Sequence, residues 1–142
     1  MTWVFIRPPS SVGASNPITT ATLAVETSGT GFFEITRRAA RFLDKSKARS
    51  GALLLFVRHT SASLVIQENA DVRTDLVTAL VWIAPADAGW IHDIEGPDDM
   101  PANVKSMLNG VSLHVPDSDG QMTLGTCCVR KLQMASHAKA KA

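Results

Sequence analysis

Two short sets of polar side chains, nine to ten residues apart, adjoin apolar runs of strand length. Their members are Arg58, His59, Thr60, Ser61, Glu68 and Asn69. Polar groups beside buried strands must find hydrogen-bond partners or line the mouth of a pocket. His59 could act as a general base, a metal ligand or a donor to phosphate, or it could be a hydrogen-bonded structural histidine. Glu68 and Asn69 could equally cap the helix that follows them.

A second polar stretch lies in an acidic loop predicted over residues 86–99. Its members are His92, Asp93, Asp98 and Asp99. A histidine among carboxylates suits metal binding or acid–base catalysis, and long polar loops in compact domains are often functional. The alternative is a solvent-exposed loop whose aspartates cap the next helix. We expect the other two histidines to be incidental, with His114 on the outer face of a strand and His137 in the tail.

Composition narrows the classes of function. The 142 residues include 14 basic and 13 acidic side chains, which leaves a net charge of +1. An electrostatic nucleic-acid binder usually carries a basic excess, so we predict no nucleic-acid partner. No apolar run reaches the ~18 residues of a membrane span, so we predict no membrane partner. Cys127 and Cys128 are adjacent, which strains a bridge between them, and reduced thiols favour a cytoplasmic location.

The surrounding elements must position these polar stretches. The order of the predicted helices and strands favours a compact single α+β domain with a mixed or antiparallel sheet and about three helices. We predict a flexible leader over 1–17, the domain over 18–134 and a frayed basic tail over 135–142. Apolar spacing predicts helices that begin with Thr36 as N-cap, that cover about 71–83, and that start at Asp98 or Asp99. The apolar stripe of the third helix comprises Val104, Met107 and Leu108.

Strands are predicted over 18–26, 52–57, 64–66, 111–115 and 121–132. The run from Ala52 to Val57 is continuously apolar, so we expect it to be buried on both faces. Residues 116–120 hold a proline, two aspartates and a glycine, which indicates a turn that joins the last two strands as a hairpin.

The polar stretches also carry a resemblance to a known family. Residues 59–71 read His-Thr-Ser-Ala-Ser-Leu-Val-Ile-Gln-Glu-Asn-Ala-Asp, and residues 90–93, 95–102 and 124–126 supply further matches in order. Over about residues 18–130 the sequence resembles the YjbQ-type family, whose members are described as secondary thiamine-phosphate synthase enzymes. The resemblance implies an α+β fold, a homotrimer and a polar cleft that takes a phosphate-bearing small molecule. That chemistry joins a pyrimidine diphosphate to a thiazole phosphate with loss of pyrophosphate.

With the residue patterns, the resemblance implies a set of site residues. The predicted catalytic residues are His59, Glu68 and His92. The predicted substrate-binding residues are Arg58, Thr60, Ser61, Asn69, Asp98, Asn103, Gly125 and Thr126. The two histidines are also candidate ligands for zinc or a similar divalent metal.

Two departures from the family pattern leave two functions open. Asn103 stands where the family has a third histidine, and Cys127-Cys128 stand where it has Trp-Gln. Asparagine is a poor transition-metal ligand beside histidine and cannot shuttle protons. One hypothesis is a small-molecule enzyme with weak thiamine-phosphate synthase activity. The alternative is a catalytically degenerate trimer that still binds a ligand or an anion.

Overall fold

The computed structural model describes residues 18–68, 70–125 and 131–137. Within them the chain forms three helices and six strands, which confirms the predicted α+β class. The helices are α1 (Thr36–Ser46), α2 (Ala70–Ile83) and α3 (Asp99–Asn109). The strands are β1 (Gly31–Glu34), β2 (Ser50–Phe56), β3 (Ala62–Gln67), β4 (Ser112–Ser118), β5 (Gln121–Met122) and β6 (Lys131–Ser136). The predicted leader over 1–17 and the last five residues of the predicted tail lie outside the described residues.

The strands form two three-stranded antiparallel sheets. The first has the order β1-β6-β3 and the second has the order β2-β4-β5. β6 is central in the first sheet and pairs with β1 and β3 on either side. The two sheets meet where the Leu64 amide donates to the Gly110 carbonyl at 3.0 Å, close to the start of β4.

The core lies between α1 and the two sheets. Its buried side chains are Ile35, Ala39, Leu43, Leu53, Leu64, Val115 and Leu132. The helical spacing of Ile35, Ala39 and Leu43 is what brings them onto one buried face, as predicted. The N-cap, however, is Ile35, and Thr36 is the first helical residue. The Thr36 hydroxyl instead bonds both backbone groups of Leu132, at 3.1 and 3.3 Å, and so ties α1 to β6.

Two strand predictions are wrong. Residues 18–28 form no regular strand, and β1 begins only at Gly31. β2 is a strand, but it is not buried on both faces, because Leu54 is 59% and Phe56 is 63% exposed. Among the described strands β2 lies at an edge and pairs with β4 alone, and its Leu53 face is the one that meets the core. A run of apolar residues cannot by itself tell a covered face from an open one.

Helix α3 begins where the sequence predicts, but two of the side chains that it buries are polar. Lys105 and Ser106 are buried, whereas Met107 is 74% exposed and Leu108 is also exposed. The Ser106 hydroxyl donates to the Ala62 carbonyl at 2.7 Å, which fastens this polar face to β3. Val104 of the predicted apolar stripe is partly buried, so the prediction is wrong for Met107 and Leu108.

The predicted return strand over 121–132 is two strands in different sheets. β5 pairs with β4 across Asp119-Gly120, where both residues have positive φ (56° and 79°). That conformation matches the twist of a two-residue hairpin, as the turn prediction requires. β6 then crosses to the first sheet and runs to Ser136, and His137 behind it is buried. The predicted frayed tail therefore begins too early, because residues 135–137 belong to the core.

Candidate functional site

An open groove, here called the His59 groove, lies just beyond the carboxyl end of β2. Its lining residues are Phe56, Val57, Arg58, His59, Thr60 and Val111. The side chains of Arg58, His59 and Thr60 are exposed, and Ser61 behind them is buried. The structure thus gathers four neighbouring predicted site residues at one place. They lie between the end of β2 and the start of β3, where the chain turns from one sheet to the other.

Local hydrogen bonds determine which ring nitrogen of His59 is free. Its Nδ1 lies 3.1 Å from the Ser61 backbone nitrogen and 2.9 Å from the Ser61 hydroxyl oxygen. A backbone N–H can only donate, so Nδ1 must accept, and the proton of the neutral ring lies on Nε2. His59 therefore offers an N–H donor, beside the guanidinium of Arg58, to whatever enters the groove.

The second histidine of the predicted site belongs to a separate network on α3, here called the His92 network. The His92 Nε2 lies 2.9 Å from the Asp99 Oδ2. The Asn103 amide nitrogen donates to the same oxygen at 3.1 Å and to the Asp99 carbonyl at 3.0 Å. The His92 side chain is 54% exposed, while that of Asp99 is 18% exposed. Asp98, another predicted site residue, is the N-cap of the same helix.

A third cluster, the His137 cluster, is buried and was not predicted. The Ser63 hydroxyl lies 2.8 Å from the His137 Nε2, and Asn109 donates to the same hydroxyl at 3.2 Å. Burial, reinforced by the positive charge of Lys105, lowers the pKa of His137 to about 4. Burial also lowers the pKa of Lys105 itself. His137 is thus neutral and structural at physiological pH, so the prediction that it lies incidentally in a tail is wrong.

The local sequence contained no clear signal for His137. Leu132, Gln133, Ala135 and Ser136 on β6 and His137 directly after it are all buried, so burial does not alternate along this segment. The small residues and lysines in this part of the sequence favoured a tail instead. The pairing of β6 with β3 is long-range, and that pairing is what places His137 beside Ser63.

The remaining predicted site residues are dispersed. Glu68 follows β3 and is partly buried, and Gly125 is exposed after β5 with a φ of 93°. Asn69 and Thr126 lie outside the described residues. Across residues 18–68, 70–125 and 131–137, no recorded hydrogen bond or ion pair joins His59, Glu68 and His92 to one another.

The described side chains fit the expected divalent metal poorly. The lone pair of the His59 Nδ1 already accepts hydrogen bonds, and Nε2 carries the proton, so neither nitrogen offers a free pair. The Asn103 amide donates to Asp99. In the described part of the chain, no three histidine, cysteine, aspartate or glutamate side chains lie close enough to share an ion. We therefore derive no chemical step through a metal.

Among the described residues, no helix is long and apolar enough to cross a membrane.

Comparison with known proteins places these features in a family. Residues 21–128 match the family model described as UPF0047 protein YjbQ-like. A UPF0047 protein of Synechocystis is 40% identical over 107 residues, which cover 73% of each chain. The UPF0047 protein YjbQ of Escherichia coli O157:H7 is 37% identical over 108 residues, covering 74% of this chain and 78% of that one.

Solved structures agree with the sequence comparison. A YjbQ/UPF0047 family protein from Clostridium acetobutylicum superposes with a TM-score of 0.73 at 26% identity, over 84% of this chain and 89% of that chain. A YjbQ-like protein of unknown function from Sulfolobus solfataricus superposes with a TM-score of 0.74, over 84% of this chain and 85% of that one. At 18% identity, the similarity to the Sulfolobus protein supports a shared fold alone.

Proposed function

The chain belongs to the UPF0047 YjbQ-like family, and we propose that it binds a phosphate-bearing small molecule in the His59 groove. The observation that carries the proposal is the orientation of the His59 ring, whose Nδ1 accepts from Ser61 so that its Nε2–H is left for a ligand. Arg58 adds a guanidinium and Thr60 a hydroxyl on the same exposed turn. Guanidinium and N–H donors side by side suit the oxygens of a phosphate.

Titration with inorganic pyrophosphate tests this proposal. We expect His59→Ala to weaken binding roughly ten- to hundredfold, because one hydrogen bond to a charged group contributes about 1.5–3 kcal/mol. Isothermal titration calorimetry measures the change. His114→Ala is the matched control, since His114 is exposed on β4, outside the groove lining. Equal affinities for the wild type and His59→Ala would overturn the proposal.

Weak thiamine-phosphate synthase activity is the enzymatic form of this proposal. The reaction releases pyrophosphate, and cationic donors such as those of the groove would stabilise the departing anion. Product formation from the pyrimidine diphosphate and the thiazole phosphate tests it directly. Activity that falls with Arg58→Ala supports the enzyme.

A ligand-binding protein without catalysis is the second candidate. The observation that favours it is the amide of Asn103, which donates to Asp99 instead of supplying a third imidazole. Pyrophosphate binding without product formation would support this candidate over the enzyme.

We also propose a homotrimer, the assembly that the family resemblance implies, and the large apolar side chains that one chain leaves exposed support an interface between copies. Those on β2, the acidic loop and α3 are Leu54, Phe56, Ile91, Ile94, Met107 and Leu108. Apolar exposure on this scale is typical of protein interfaces. Light scattering should give about three times the 15.2 kDa mass of one chain. Met107→Glu should shift the mass toward the monomer, and a wild-type monomer would contradict the proposal.

A divalent metal at His59 and His92 stays a prediction, as does the cytoplasmic location. Metal analysis of the purified protein tests the first. We expect Asn103→His, which restores the third histidine of the family pattern, to raise zinc affinity if the histidines meet. Equal zinc content in this variant and the wild type would count against a shared metal site.

A further inference from the structure

We propose that Asp99 is a positioning residue for His92, and that it leaves Nδ1 of His92 as the nitrogen available to a ligand. The inference starts from the 2.9 Å contact between the His92 Nε2 and the Asp99 Oδ2. A carboxylate oxygen accepts, so the ring proton lies on Nε2. The lone pair of the neutral ring then lies on Nδ1. Carboxylate partners determine the tautomer of histidines in this way at many functional sites.

Asn103 holds the Asp99 carboxylate in place. The Asn103 amide nitrogen donates to the Asp99 Oδ2 and to the Asp99 backbone carbonyl. One side chain therefore fixes the Asp99 carboxylate relative to its own backbone. Asp99 and Asn103 are four residues apart on α3, where side chains lie on the same face. The Asp99 side chain is mostly covered, whereas more than half of the His92 side chain faces solvent. Helix α3 thus holds Asp99 and Asn103 in place, and the His92 imidazole that they orient is exposed to solvent.

The two predicted histidines then present opposite chemistry. His59 accepts locally through Nδ1 and offers an N–H. His92 donates locally through Nε2 and offers a lone pair. A donor and an acceptor are the two roles that acid–base work on a substrate requires. That use of His92 rests on the proposed function, but the assignment of its tautomer does not.

Nuclear magnetic resonance on ligand-free ¹⁵N-labelled protein tests the assignment. At about pH 8, where ordinary histidines are neutral, we expect the His92 Nε2 to carry a proton that exchanges slowly with water. Asp99→Ala removes the acceptor and should speed that exchange roughly tenfold or more. Asp99→Asn keeps a carbonyl oxygen that can accept, so it should restore much of the protection. Asn103→Ala should speed the exchange less, because it removes only the hydrogen bond that positions the Asp99 carboxylate.

Asp93→Ala is the matched control, since it removes a carboxylate from the residue next to His92 in sequence. It should leave the exchange unchanged. A proton on Nδ1 in the wild type, or equal exchange in Asp99→Ala and the wild type, would overturn the proposal. Because no ligand is added, a failure of pyrophosphate binding leaves this result standing, and the reverse also holds.

Discussion

Two serine–histidine hydrogen bonds lie near the start of β3, and they differ mainly in burial. Ser61 bonds His59 at 2.9 Å, and Ser63 bonds His137 at 2.8 Å. His59 is exposed at a groove, whereas His137 is 4% exposed. A backbone bond links the pairs, because the His137 amide donates to the Ser61 carbonyl at 2.9 Å.

The difference shows that the same contact has two uses. The exposed pair is made by residues two apart, so it orients a ring without holding distant elements together. The buried pair spans 74 residues and joins β3 to the end of β6. Loss of the buried bond leaves polar atoms without a hydrogen-bond partner where water cannot replace it, which destabilises the fold, whereas loss of the Ser61–His59 bond leaves an exposed ring that can bond water. We therefore expect the buried pair to control stability and the exposed His59 ring to control binding.

The largest expected effect is that of His137→Ala. It removes the buried imidazole that the Ser63 hydroxyl bonds and opens a cavity, so we expect a loss of about 3 kcal/mol in the free energy of unfolding. Urea unfolding at neutral pH measures the loss. His59→Ala is the matched control and should change stability by less than about 0.5 kcal/mol. Similar losses in the free energy of unfolding for His137→Ala and His59→Ala would contradict the expectation that the buried pair controls stability.

The second largest expected effect is a loss of stability in acid, caused by protonation of His137. The folded pKa of His137 is about 4, below the ordinary value of about 6.5 in the unfolded chain. The unfolded state therefore binds the proton first, so stability is full above pH 6.5 and falls as the pH drops toward 4. The loss at pH 5 should be about 2 kcal/mol.

Urea midpoints at neutral pH and at pH 5 measure this loss. Part of any acid sensitivity will come from other groups, so the test is the difference between the wild type and His137→Ala. The variant should lose about 2 kcal/mol less on acidification. Identical pH profiles would show that His137 is not the group responsible.

The smallest effects separate the two serines. Ser63→Ala removes a buried partner from both His137 and Asn109, and should cost about 1–2 kcal/mol. Ser61→Ala keeps the backbone N–H that bonds the His59 Nδ1, so it should cost less than about 0.5 kcal/mol and leave pyrophosphate affinity nearly unchanged. Thermal unfolding and calorimetry measure both. A larger cost for Ser61→Ala than for Ser63→Ala would reverse the comparison.

Features with local causes were predicted well. The apolar spacing of α1, the extent of α2 and the start of α3 follow from neighbours three and four residues apart. The Asp119-Gly120 turn follows from residues that tolerate positive φ. The position of the polar stretch over residues 58–61, between two strands, was also predicted, because these residues are continuous in sequence and adjoin the family motif.

Features that depend on partners far along the chain were predicted poorly. The exposed face of β2 depends on which strands lie beside it, and the buried face of α3 depends on the hydrogen bond from Ser106 to Ala62. Neither is a property of the local pattern. The same holds for the pairing of His92 with Asp99 rather than with His59.

The sequence by itself determined the family, the α+β class and the place of the polar stretch around His59, because each depends on residue types at short spacing. The bonds that orient the His59 ring are also local, whereas only the tertiary structure decided which nitrogen His92 presents and which histidine is buried. Proton placement depends on the nearest donor or acceptor within about 3 Å, and burial depends on the elements that pack above. For His92 and His137, the chain supplies these neighbours only once α3 and β6 are in position.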